Sequence, residues 1–233
     1  MRRILIVFSA AAVISVPSPA AAQQSFNFYL GGFTPASEDS RSRSGGRSDD
    51  VLVNNLDFLS FNIKDFNNVT VGGEWLVALG DRAEAGLGLG IYSKSVPSVY
   101  ADLVNEDFSE IEQDLKLRIV PFTATVRFLP LGRESGVQPY IGAGVGLYRW
   151  RYTESGEFVD FDSTIFRETY IGSGGAAGPI VLGGLRFPLG SWDVGGEIRY
   201  QNAEGTLPDD QGFSAEKIDL GGFNYLLTFN VRF

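Results

Sequence analysis

From Phe223 to its last residue the chain alternates with period two. Phe223, Tyr225, Leu227, Phe229, Val231 and Phe233 share one face, while Gly222, Asn224, Thr228, Asn230 and Arg232 share the other with a single apolar member, Leu226. A period of two belongs to a β-strand, whose successive side chains point to opposite sides. One greasy and one polar face suit a sheet that separates two environments. The same alternation recurs at 25–34, 68–79, 83–94, 115–128, 138–151, 174–187 and 193–203, and the terminal segment starts near 217. Weak alternation in pieces of roughly ten residues is the signature of strands that cross a membrane as a barrel. Eight antiparallel strands form the smallest common closed barrel.

The faces are easily sorted in most segments. Ala85, Leu87, Leu89 and Ile91 oppose Glu84, Gly86, Gly88 and Gly90, and Ile141, Ala143, Val145 and Leu147 oppose Tyr140, Gly142, Gly144 and Gly146. In 115–128, Val120, Phe122, Ala124, Val126 and Phe128 oppose Thr123, Thr125 and Arg127. Residues 115–119 read in the other phase, which predicts a β-bulge near 119–121. The glycine strings lack the strand-to-helix setting of a phosphate loop and are read as making room in a crowded interior.

Connections alternate in length. Short, turn-rich pieces lie at 80–82, 129–137 and 188–192, and long polar ones at 35–67, 95–114, 152–173 and 204–216. Short turns at one rim and long loops at the other match the periplasmic and extracellular ends of outer-membrane barrels. Three segments also end alike, as Val126-Arg127-Phe128, Leu185-Arg186-Phe187 and Val231-Arg232-Phe233. An outward Phe at constant depth fits an interfacial aromatic girdle.

The amino terminus places the fold outside the cytoplasm. Arg2 and Arg3 precede an apolar run at 4–16, Pro17 and Pro19 interrupt it, and Ala20, Ala21 and Ala22 supply a small-residue cleavage site. This is the layout of a secretory signal peptide, and the run is short of the ~20 residues a membrane-spanning helix needs. The expected division is a signal peptide at 1–22 and one barrel domain at 23–233. Losing Arg2 and Arg3 takes the formal charge from −9 to −11, a poor basis for nucleic-acid binding. Cysteine and histidine are both absent. That removes disulfides, the commonest general base and the commonest transition-metal ligand.

Together the signal peptide, the strand opening Pro139-Tyr-Ile-Gly-Ala-Gly-Val-Gly146, the start at Lys217, Ile218 and Asp219, and the terminal strand ending at Phe233 resemble the OmpA/OmpW-like family of small outer-membrane β-barrels. The resemblance implies an eight-stranded antiparallel up-and-down transmembrane β-barrel in the outer membrane of a Gram-negative bacterium. It also implies that Tyr225, Phe229, Val231 and Phe233 act as an insertion signal for the barrel-assembly machinery. No peptidoglycan-binding domain follows Phe233, so the wall anchor of a full OmpA-type protein is not expected.

Inside the barrel, Glu74, Glu84, Arg127, Arg186, Glu197, Arg199 and Arg232 are the candidate site, an ion network in a lumen just wide enough for side chains. Charges in such a space must pair. The expectation is a plug in which Glu84 and Glu197 neutralise a ring of arginines near the short-turn rim, with a narrow polar gate as the alternative. No cofactor and no metal site is expected. Asp102, Glu106, Asp107, Glu110, Glu112 and Asp114 in the second long loop, and Glu154, Glu157, Asp160 and Asp162 in the third, form no calcium-loop motif. The first long loop opens with a polar stretch at 37–50 and then carries Leu56, Phe58, Leu59, Phe61, Ile63 and Phe66. That cluster must be covered by the barrel mouth, a partner or a hydrophobic ligand.

The expected role is structural or interactive at the cell surface, or passage of small, hydrophobic solutes, by a monomer in contact with lipid and surface glycolipid. A soluble, exported, lipocalin-like barrel carrying an apolar ligand is the alternative. A lipid-modifying enzyme comes third, since no activated nucleophile is visible.

Overall fold

The computed structural model describes residues 23–36, 43–44, 47–160 and 162–233. The expected signal peptide at 1–22 and most of the polar stretch at 37–47 lie outside the described residues, although Arg43–Ser44 and Arg47–Ser48 pair as a two-rung hairpin. Eight long strands build the fold: β1 (Gln24–Pro35), β2 (Asn68–Ala78), β3 (Ala83–Val104), β4 (Glu110–Phe128), β5 (Gln138–Val159), β6 (Ile165–Leu189), β7 (Trp192–Gln201) and β8 (Gly222–Arg232). Each pairs antiparallel with its chain neighbours, and β1 pairs with β8 from Ser25 opposite Arg232 to Pro35 opposite Gly222. The sheet therefore closes on itself as an up-and-down barrel without a free edge.

Strand length differs from the sequence reading in two places. The stretches 95–114 and 152–173 are largely strand: β3 and β4 run up to a tip at 105–109, and β5 and β6 to a tip at 160–164. These hairpins keep their backbone groups paired well above the rest of the barrel, which an irregular polar loop could not do. The turns at the other rim are as short as expected, with Gly190 and Ser191 joining β6 to β7.

The bulge expected at 119–121 is absent. Register between β4 and β5 runs unbroken from Gln113 opposite Gly156 to Phe128 opposite Ile141. Only the pairing of β4 to β3 skips Val120 and Pro121, as a residue without an N–H requires. Ile111, Leu115, Leu117 and Ile119 point inward together with Thr123, Thr125 and Arg127. The phase is constant. What changes along the strand is the polarity of each face.

That inversion runs around the barrel. In the half nearer the short turns, outward residues are apolar: Phe128 to Val120 on β4 and Pro139 to Leu147 on β5, close to the ~9–11 residues a tilted strand needs to cross a bilayer. Phe26, Trp75, Phe187, Trp192 and Phe229 ring its lower edge, all exposed. In the upper half the outward residues of β4 and β5 are polar, and an apolar core fills the interior. Tyr92, Val96, Leu115, Leu117, Ile119, Tyr148, Trp150 and Tyr152 supply its wall.

Candidate functional site

Two layers of side chains close the interior. The lower one is ionic. Arg127 on β4 reaches Glu74 on β2 and, at 2.8 Å, Glu197 on β7. Arg199 donates to Glu197 at 2.7 Å and lies 3.5 Å from Glu74. Thr125 donates its hydroxyl to Glu74 at 2.8 Å, and the Tyr140 hydroxyl donates to Glu197 at 3.0 Å. Strands that are not neighbours in the sheet are thus tied across the lumen. All four charged side chains are buried, and a charge so placed is tolerated only because each carboxylate meets two guanidinium groups.

Beneath this cluster, Arg186 on β6 makes a two-pronged contact with Glu84 on β3 at 3.0 and 3.2 Å. Such a fork fixes direction as well as charge. Tyr140 lies between the two levels, its ring faced by Arg127 at 5.2 Å and by Arg186 at 5.0 Å. A ring with a negative face suits a place between two cations. Nearest the short turns, Arg232 pairs with Asp193 at 2.6 Å.

Glycine makes this crowding feasible. A Cβ on Gly86 would come within 2.5 Å of a Glu74 oxygen and 2.7 Å of the Thr125 hydroxyl, and one on Gly184 within 2.5 Å of the Tyr140 hydroxyl. The glycines on the inward face of β3 and β6 leave the volume that the network occupies.

All seven expected interior residues line the lumen, but not as one ring of arginines answered by two glutamates. Arg127 and Arg199 share Glu74 and Glu197, Arg186 takes Glu84, and Arg232 takes Asp193. Asp193 and Tyr140 fall on the inward phase of their strands, so period two could have named them. Arg133 could not be named that way. It sits in the turn between β4 and β5, and its guanidinium folds back to 3.6 Å from Glu84.

The upper layer comes from the connections. Asp50 accepts the Val53 N–H at 3.1 Å and so caps a short helix, α1 (Val51–Asn55). Its other carboxylate oxygen accepts the Asp219 N–H at 2.6 Å, which joins the first long connection to the last. Val51, Leu52, Leu59, Ile63 and Phe66 from the first and Leu207, Ile218 and Leu220 from the last pack against the apolar wall. The apolar cluster of the first long loop is therefore covered largely by the barrel mouth. Leu56 and Phe58 stay partly exposed at its edge.

Besides Asp50 and Asp219, a further carboxyl residue is buried in this layer. Glu154 is buried, accepting from Asn55 at 2.6 Å and from the Tyr152 hydroxyl at 2.9 Å, with Ser214 donating to Asn55 at 2.6 Å. Burial without a cation raises its pKa above the ordinary carboxylate value, although the two hydrogen bonds oppose the rise. Among the described residues no group of three or more carboxylates is placed to hold a metal ion.

No protein-family model matches the chain, and no curated protein matches it. Solved structures similar to it include Neisserial surface protein A, with a TM-score of 0.46 and 12% identity over 91% of this chain and 97% of that one. The attachment invasion locus protein Ail of Yersinia pestis, solved with the heparin analogue sucrose octasulfate, has a TM-score of 0.43 and 12% identity over 91% and 99% of the two chains. The outer membrane protein AlkL, solved in DMPC lipid bilayers, has a TM-score of 0.42 and 17% identity over 100% and 97%.

Proposed function

We propose that the protein is an integral outer-membrane barrel that acts as a sealed scaffold, holding its cap and two tall hairpins outside the membrane rather than conducting solutes. Placement in a membrane is supported by the outward belt. Leu30, Val71, Leu87, Phe122, Val145, Val181, Ile198 and Leu227, one from each of the eight strands, all stand exposed, and an apolar band carried by every strand is what a lipid-facing wall presents. A lipocalin-like carrier would need an open apolar interior. Here that interior is occupied by the chain's own connections. The short turns then face the periplasm and the hairpins the exterior. Tyr225, Phe229, Val231 and Phe233, all outward on or beside β8, are proposed to be read during insertion.

The observation that carries the sealed reading is that the lumen is filled at two successive levels, first by ion pairs across its diameter and then by an apolar core. In planar bilayers the reconstituted protein should give no stepwise conductance, and regular single-channel steps from the unaltered chain would overturn the reading. Membrane residence has its own test. The mature protein should be recovered only with detergent and should shift in gel mobility on boiling, whereas a soluble chain without that shift would exclude it.

A further inference from the structure

The outer wall carries a charged patch that the closed lumen does not use. Immediately above the apolar belt, β4 turns Lys116 and Arg118 outward, and β5 turns Arg149 and Arg151 outward, all four exposed. Register sets Arg118 directly opposite Arg151, Lys116 opposite Thr153 and Arg149 opposite Val120. Opposite residues stand about 5 Å apart and same-face residues two along a strand about 7 Å. Four cations therefore share an area comparable to one phosphorylated headgroup. Like charges facing each other across a sheet repel, and among the described residues none of the four makes an ion pair. The positions beside them carry hydroxyls or nothing, with Ser93 and Ser95 on β3 and Ser173 and Gly175 on β6. Asp114, one step above Lys116 on the same face, is the nearest acidic residue along β4.

A second feature adjoins the patch. Directly below it the wall holds a shallow groove of about 390 Å³ bounded by Phe122, Leu147, Arg149, Gly175 and Ala177. It exists because β6 presents Gly175 and Ala177 where neighbouring strands present Leu and Phe. The groove is apolar, lies within the belt, and has Arg149 at its upper end.

We infer that the wall formed by β4, β5 and β6 binds one phosphorylated lipid of the outer leaflet, its phosphate held by Lys116, Arg118, Arg149 and Arg151 and an acyl chain lying in the groove. The inference rests on the reading of the belt as lipid-facing and of the hairpins as external. A free anion satisfies only the charges, whereas a lipid fills both features, and a cationic cluster at the membrane surface is worth most against anionic headgroups.

The test uses the full mature chain in vesicles of phosphatidylcholine, alone or with a minor fraction of bisphosphorylated lipid A or of the same lipid A without its phosphates. Lipid retained per barrel after mild delipidation is read by native mass spectrometry, beside the unfolding midpoint. The bisphosphorylated form should be retained and should raise the midpoint. Arg118→Gln and Arg151→Gln should each lower retention about fivefold. Gly175→Leu, whose side chain enters open space, should lower it with every charge intact. Arg167→Gln, out on the exposed hairpin, should not change it. Equal retention of the two lipid A forms, or of parent and variants, overturns the site. A midpoint raised as much by inorganic phosphate overturns the lipid in favour of a free anion. Insertion into none of the three vesicle types overturns the membrane reading and this site together, whereas insertion without selective retention overturns the site alone.

Discussion

Along β4, Thr123, Thr125 and Arg127 look into the lower lumen, and Ile111, Leu115, Leu117 and Ile119 into the upper one. The outward face makes the reverse change, from Phe122, Val126 and Phe128 to Lys116 and Arg118. One strand, in unbroken register with β5, thus serves two opposite solvent problems. Where lipid lies outside, the greasy residues face out, and the polar remainder must be satisfied within. Where water lies outside, the barrel becomes an ordinary soluble fold with a dry interior. Polarity follows the surroundings, and the pleat merely offers two faces to be assigned.

Changes in each layer should sharpen this contrast. The largest effect is expected in the ionic one. Arg127→Met leaves Glu74 and Glu197 close together with Arg199 as their one remaining shared cation, and should cost about 3–5 kcal/mol of unfolding free energy in reconstituted vesicles. Adding Glu197→Gln to that change should recover part of the loss. If the double variant is the less stable of the two, orphaned charge is not the cause.

In the upper layer the cost comes from lost volume. Leu117→Ala should destabilise by about 2–4 kcal/mol and speed amide exchange in α1, because the cavity cannot collapse. Leu87→Ala, outward in the belt, removes the same atoms but encloses no void and should cost clearly less. Equal losses at the two sites, measured by denaturant titration, would break the distinction between an enclosed core and a lipid-facing surface.

A smaller effect separates the layers by pH. Glu154 is held protonated in the folded cap above the ordinary carboxylate value of 4.5, so folding takes up a proton wherever the unfolded chain has already lost it. The stability this contributes is complete below 4.5, falls as pH rises through the raised folded value, and then levels off. Glu154→Gln should remove that part of the pH profile while keeping a partner for Asn55 and Tyr152. An unchanged profile by thermal unfolding would show that Glu154 is not its source. The least effect is expected from Arg167→Gln, since Arg167 pairs with Glu157 at 2.8 Å on an exposed hairpin. Such pairs contribute about 0–1 kcal/mol.

Much of this molecule could be read without coordinates. Gly86, Gly88 and Gly90 against Leu87, Leu89 and Ile91 is enough to orient β3, and the aromatic end at Phe233 marks β8. Glu74, Arg127 and Glu197 announce themselves as inward charges because each interrupts an apolar alternation. The same rule hides the upper half. Residues 115–119 look out of phase only if the greasy face is taken to be the outer one along the whole strand, so an inversion of surroundings passed for a bulge. The hairpins at 95–114 and 152–173 look like loops in the sequence because β4 and β5 carry polar residues on their outward faces there, although pairing of the backbone depends on neither face being greasy.

Strand count, closure and the orientation of the belt therefore follow from the sequence alone, since period two and the lengths of the connections are local properties of the chain. Which charge meets which is not. Arg127 lies beside Glu84 in register yet pairs with Glu74 and Glu197, because in a narrow barrel the far walls are within reach of a long side chain. The cap is likewise decided only in three dimensions. Val51 and Ile218 come together because a closed barrel brings the first and last connections to one mouth, where both can be dry.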